Sequence, residues 1–239
     1  MERVLGVVFV HGVRSSAEMW DPFTSVMAED YDLMAKAVEP VPRFEYATGL
    51  FRSSWKPLTV IPSISTVADS LKEYLITEAG EFDRLVLVGH SQGGLVIQRC
   101  LVRMLTEGRG QELARIRRVV LLATPNTGSE LLQTAREKLV RGNPQEKELR
   151  PFNELVADTA RSVQRDIVHA AEQPTERSCR IPFSVYAGEQ DKVVTRASAQ
   201  AAFPNAAVLP GDHFTIAKPD SRRHRTYSTV RRLLMEAAL

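Results

Sequence analysis

Ser91 stands in the stretch Gly89-His90-Ser91-Gln92-Gly93, directly after the apolar run Leu85 to Val88 and before a helical pattern over Gly93 to Leu105. A serine at a sharp strand-to-helix turn has its hydroxyl thrust out of the end of the sheet, which is the geometry of a nucleophile elbow. Such a turn brings two backbones together at the positions two before and two after the serine, where only very small side chains fit. Gly89 and Gly93 occupy both positions, and Gly94 follows. The serine is expected in a strained backbone conformation with a helix N-terminus aimed at it.

A serine hydroxyl is a poor nucleophile at neutral pH, so it needs a base within hydrogen-bond reach and a third group to orient that base. In the order that accompanies this elbow, the acid comes second and the histidine last. The apolar run Phe183 to Tyr186 is followed by Gly188-Glu189-Gln190-Asp191-Lys192-Val193-Val194, and Ala206 to Leu209 is followed by Gly211-Asp212-His213-Phe214. Of five histidines, His11 and His90 are expected to support loops, His169 lies in an insert, and His224 sits among Arg222, Arg223 and Arg225. That leaves His213 as the base. Asp191 is the expected acid, with Glu189 as its chief rival; Asp212 adjoins His213 too closely to face its ring. The other place for an acid, after the strand ending at Ala123, reads Thr124-Pro125-Asn126, and no carboxylate follows until Glu130. A tetrahedral oxyanion would need preorganised donors. The backbone N–H groups of Gln92, in the elbow, and Val13, in His11-Gly12-Val13, are the expected pair.

These residues must be carried by strands and helices in a fixed order. Continuous apolar runs at Val7 to Val10, Leu85 to Val88, Val119 to Leu122, Phe183 to Tyr186 and Ala206 to Leu209 read as strands covered on both faces, as in a parallel sheet. Arg43 to Ala47 is a weaker candidate for one more. Helical patterns fall between them at Ala17 to Ala28, Ser65 to Ala79, Gly93 to Leu105 and Asp220 to Ala238. Ser15 and Glu18 form an expected capping box for the first, and Tyr227, Val230 and Leu234 recur at helical spacing in the last. The alternation predicts an α/β fold: one domain over 1–239 with a doubly wound, mostly parallel sheet of about six strands and helices on both faces. About sixty residues separate Ala123 from Phe183, more than a crossover needs, so 125–181 is expected to form an inserted helical cap. Its helical stretches are expected around Leu131 to Val140 and Phe152 to Ala171, joined by a polar loop over 141–145.

Composition excludes several other classes. The 31 basic and 29 acidic residues leave a formal charge of +2, which gives no footprint for nucleic acid. No apolar stretch approaches the roughly 18 residues of a membrane span. The N-terminal run after Arg3 lacks a small-residue cleavage site and reads as a core strand rather than a secretion signal. Cys100 and Cys179 are too few for a disulfide framework and fit a cytoplasmic location, Cys100 reading as a small buried hydrophobe. No metal-ligand cluster, phosphate loop or dinucleotide fingerprint is present, so neither metal nor cofactor is expected. Arg14 is expected in solvent. Trp20, Leu50, Phe51 and Trp55 are open to two readings, an acyl pocket or core packing. The arginines of the last helix, Arg231 and Arg232 among them, are expected on a solvated face.

Taken together, Val10-His11-Gly12, Gly89 to Gly94, Gly188 to Val194 and Gly211-Asp212-His213 resemble the oxyanion loop, elbow, acid loop and histidine loop of the α/β-hydrolase superfamily. Ala123-Thr124-Pro125-Asn126-Thr127-Gly128-Ser129 resembles a motif of its lipase-like branch of serine esterases, which includes the GPI inositol deacylases, and Tyr46-Ala47-Thr48-Gly49 is similar to a less specific stretch there. The sequence begins almost at the strand before the oxyanion loop, so a small sheet is expected. The resemblance implies hydrolysis of carboxylic esters, small or lipid-like, without cofactor. Ser91 would be acylated, His213 would shuttle the proton and Asp191 would hold the imidazole. The same parts would serve a thioesterase or an acyltransferase. A non-catalytic or partner-regulated module built on the same shell is the reading from another class.

Overall fold

The computed structural model describes residues 4–13, 15–47, 62–126 and 146–239. Its centre is a six-stranded sheet whose strands are β1 (Leu5–Val10), β2 (Val38–Pro40), β3 (Arg84–His90), β4 (Ile116–Leu122), β5 (Phe183–Gly188) and β6 (Ala207–Leu209). Their order is β2-β1-β3-β4-β5-β6, and every neighbouring pair is parallel. The apolar runs form strands because both sheet faces are covered. Val8, Val10, Leu85 and Leu87 point into one core, whereas Val7, Phe9, Val86 and Val88 point into the other.

The first face is covered by α3 (Ile64–Ile76), α4 (Gln92–Thr106) and α5 (Glu146–Val163), the second by α1 (Asp21–Ala28), α2 (Tyr31–Met34) and a C-terminal helix. A short helix α6 (Arg196–Ala202) precedes β6, and α7 (Arg225–Ala237) closes the chain. Tyr227, Val230, Leu233 and Leu234 of α7 are fully or almost fully buried on one stripe. Trimming Leu234 to alanine would cost about 2–5 kcal/mol by this packing. The chain runs from β1 outward to β2, then returns past β1 to β3. The C-terminal ends of β1 and β3 therefore diverge at a topological switch point, where open α/β sheets carry their sites.

Four expectations are corrected. The edge strand is Val38–Pro40, paired with Leu5–Val7, and not Arg43 to Ala47. Pro40 and Pro42 limit backbone donors there, and 43–47 continues as loop. The first helix begins as a 3-10 turn, Ala17–Trp20, behind Ser16, which makes no side-chain cap. In place of a capping box, the Glu45 carboxylate accepts the N–H of Ala17 at 3.2 Å while the Ser15 hydroxyl donates to the Ser16 carbonyl. The last helix starts at Arg225 rather than Asp220, capped by His224 Nδ1 accepting from the N–H of Thr226 at 3.3 Å. Arg231 is not on a solvated face. Its guanidinium turns in to the buried Asp30, whereas Arg232 pairs with Glu236 on the surface.

Of the expected cap, α5 starts at Glu146, earlier than Phe152, and passes into a π-helical turn at Gln164–Val168. Val156, Val163 and Ile167 join the same core as α4. The helix expected around Leu131 to Val140 and the loop at 141–145 lie outside the described residues. No helix among the described residues is long and apolar enough to cross a membrane.

Candidate active site

Ser91 follows β3 and caps α4 with φ +52° and ψ −126°, a left-handed backbone that a serine adopts only under constraint. The constraint is visible on both sides. Its N–H donates to the Leu122 carbonyl at 3.0 Å, and the elbow is wedged between β1 and α4. A Cβ on Gly93 would stand 2.2 Å from the Val10 carbonyl oxygen, and one on Gly89 would stand 2.7 Å from the Cα of Gly94. Neither position admits a larger residue without moving backbone.

His213 and Asp191 arrive from the loops after β6 and β5. Asp191 Oδ1 accepts the N–H groups of Val193 at 2.7 Å and Val194 at 2.9 Å, which locks the carboxylate, and Oδ2 lies 3.0 Å from His213 Nδ1. His213 Nε2 lies 3.0 Å from Ser91 Oγ. An ionised carboxylate only accepts, so the proton of a neutral His213 is assigned to Nδ1, leaving Nε2 free to accept from the serine hydroxyl. The Asp191 side chain is wholly excluded from solvent and that of His213 is 10 % exposed. Low polarity around such a chain strengthens each bond in it.

The rivals are committed elsewhere. Glu189 is exposed and faces Arg225 at 3.6 Å. Asp212 Oδ1 accepts from the backbone N–H groups of Thr215 and Phe214 and from the Thr215 hydroxyl, at 2.8 to 2.9 Å. Those bonds hold its carboxyl below the usual carboxylate range and shape the turn that presents His213.

The loop after β1 lies against the elbow, since a Cβ on Gly12 would stand 2.9 Å from Ser91 Cβ. Val13 follows Gly12 and is exposed, and Gln92 is the first residue of α4, directly after the serine. His11 braces this loop. Its Nδ1 bonds the Gly12 carbonyl at 3.2 Å, its Nε2 accepts from the N–H of Tyr46 at 3.3 Å, and its ring stacks on Tyr46 at 4.2 Å. The Tyr46 hydroxyl donates to the His11 carbonyl at 2.6 Å. Sequence reasoning marked Tyr46 only through a weak motif; an aromatic residue thirty-five positions from His11 carries no local sign of that contact. Trp20 is buried against Phe9, Phe23 and His90, in the core reading. Arg14, Leu50, Phe51 and Trp55 lie outside the described residues. His169 ends the π-helical turn. Cys100 is buried and its thiol is pushed up to about 12 by burial, which makes it inert. Among the described residues no group of three or more His, Cys, Asp or Glu side chains is placed to hold a metal.

The sequence matches the profile of the Alpha/beta hydrolase family over residues 7–229, and the chain belongs to that family. It is similar in structure to a lipase-esterase related protein from Clostridium acetobutylicum, with a TM-score of 0.55, 11 % identity, and 99 % of this chain and 96 % of that one covered. It is also similar to the type II thioesterase BorB of the borrelidin biosynthetic cluster, with a TM-score of 0.56, 16 % identity, and 98 % and 93 % covered. A thermophilic esterase from Thermogutta terrifontis gives a TM-score of 0.56, 17 % identity, and 98 % and 91 % covered. No curated protein matches the sequence.

Proposed function

We propose that the protein is a serine hydrolase of carboxylic esters, working through an acyl-enzyme on Ser91. The observation that carries this reading is the continuous chain Asp191–His213–Ser91, with both links at 3.0 Å. Ser91 Oγ attacks the acyl carbon as its proton passes to His213 Nε2. The oxyanion is held by the N–H groups of Val13 and Gln92, and Asp191 stabilises the imidazolium. Collapse of the tetrahedral species expels the alcohol, which takes the proton from His213. Water, deprotonated by the same imidazole, then releases the acid and restores the serine.

The insert 125–181 is read as a helical cap; of its described part, Val156, Val163 and Ile167 join the core that includes α4. The likeness to lipase-like esterases at 123–129 favours small or lipid-like acyl groups; residues 127–129 lie outside the described residues. The same chain would open a thioester, a leaving group that asks less of the acid step. A fluorophosphonate probe combined with nitrophenyl esters of graded chain length tests the reading. The probe should label the protein at Ser91 and block ester turnover. Unlabelled protein with no turnover would point to a dead hydrolase shell, and faster release from matched acyl thioesters would move the substrate class to thioesters.

A further inference from the structure

His90, the residue before the nucleophile, is buried at the tip of β3 and takes no part in the proton path. Its Nε2 lies 2.6 Å from the main-chain carbonyl oxygen of His213. A carbonyl only accepts, so the His90 proton resides on Nε2 and Nδ1 is a bare acceptor. Nδ1 has no partner among the described residues, and burial pushes the ring's pKa down to about 4, so the ring is neutral at ordinary pH. The Nδ1 edge faces the loop after β1, because a Cβ on Gly12 would stand 3.2 Å from it.

The His213 loop is otherwise fixed on its N-terminal side. The Gly211 carbonyl accepts from the N–H of Gln190 at 3.0 Å, Gly211 has φ +109°, and Asp212 closes its own turn. On the other side, the peptide that leaves His213 has its Phe214 N–H held by Asp212 Oδ1 at 2.9 Å, and the His90 bond takes its remaining end, the His213 carbonyl. Leaving a buried ring nitrogen unpaired is costly, and an apolar side chain filling the same volume would not carry that cost. What the imidazole adds in that place is a donor aimed at the residue that bears the base.

We propose that His90 is a positioning residue. Its Nε2–H, donated to the His213 carbonyl, sets the height at which the catalytic imidazole meets Ser91, while its other edge seats the loop expected to supply Val13 N–H. This rests on the reading of Ser91 and His213 as nucleophile and base. It adds that the elbow itself registers base and oxyanion loop to one another across the sheet end.

The test compares His90→Gln with His90→Met in the full chain. The two side chains are similar in length and volume, but only glutamine can donate an N–H to the carbonyl. With a nitrophenyl ester as substrate, His90→Met is expected to lose about 10- to 100-fold in kcat with KM within about threefold of the parent, as a displacement near 1 Å at a reacting group does. Fluorophosphonate labelling of Ser91 should slow in parallel. His90→Gln should recover most of kcat even where its melting temperature is no higher than that of His90→Met. Equal kcat in the two variants, at whatever level, would overturn the proposal, as would losses that simply follow melting temperature. Should His90→Met not fold, His90→Asn against His90→Leu makes the same comparison. Loss of labelling in the parent protein, or turnover that survives Ser91→Ala, would remove the underlying reading and the proposal with it, a result separate from equal variants on a labelled parent.

Discussion

Among the described residues two carboxylates have wholly buried side chains, and they are balanced in opposite ways. Asp191, at the rim of the sheet, is held by two backbone N–H groups and an imidazole. Asp30, in the seam between α2 and α7, is met by Arg231 Nε at 2.7 Å, the Tyr227 hydroxyl at 2.9 Å and Arg222 at 3.3 Å. Permanent cations neutralise Asp30 outright. Asp191 has neutral donors and one partner whose charge can come and go, so its field is left to act on His213 when that ring is protonated. Under the proposed function, the pairing of a buried acid with a fixed cation or with an imidazole separates a stabilising contact from a reactive one.

Removing groups at the rim should act on rate. Ser91→Ala and His213→Ala should each lower kcat by about 10⁶-fold, the double variant being scarcely worse, and Asp191→Asn by about 10⁴-fold, with unfolding free energies little changed. Burst kinetics and urea titrations on the same samples check both halves. Asp30→Asn should do the reverse. It leaves Arg222 and Arg231 with only the exposed Asp32 carboxylate between them and should cost about 3 kcal/mol, toward the low end for buried pairs because both arginines keep that partner and reach solvent, while kcat of the folded fraction is unchanged. A large loss of kcat there would break the division between the two regions.

Acid sharpens it further, because the two regions titrate in different windows. His90 has a folded pKa of about 4 against an ordinary value near 6.5, so the unfolded chain binds its proton first. Stability is therefore complete above about pH 6.5 and falls by about 3 kcal/mol as the pH drops to about 4. His11, also held below its ordinary value by burial, adds to the same window. For Asp30, burial pushes the carboxyl upward, but the bonds from Arg231 and Tyr227 outweigh it and hold it below the usual carboxylate range. Its contribution is complete above its unfolded value, near pH 4, and is lost only below it. Urea unfolding at pH 7, 5, 4 and 3 should show His90→Gln flattening the upper part of the profile and Asp30→Asn the lower part. The smallest expected effect is that of Glu189→Gln. Its exposed contact with Arg225 should be worth less than about 1 kcal/mol, and kcat should not move. A drop approaching that of Asp191→Asn would return Glu189 to the role of acid.

Much of this was written in local pattern. The runs of β1, β3 and β4, buried on both faces, marked the centre of a parallel sheet, whereas the edge run of β6 is partly exposed; the tight glycines at 89 and 93 marked the elbow because backbone contact there excludes any Cβ. The placing of Ser91, Asp191 and His213 at strand ends followed from the same alternation. The edge strand at Val38–Pro40 escaped notice because three residues show no periodicity and only pairing with Leu5–Val7 makes them a strand. The capping box at Ser15 failed for a related reason, since a carboxylate from position 45 reached the helix start instead.

Local order along the chain established which reactive side chains are available and the succession in which strands, turns and helices present them, because strand, turn and helix preferences act over a few residues. The tertiary structure decided which partner each polar group found. Asp191 meets His213 across twenty-two residues, His90 meets it across 123, and Arg231 reaches Asp30 across 201. Directional bonds between such distant groups depend on how whole layers pack, and no local preference encodes that packing.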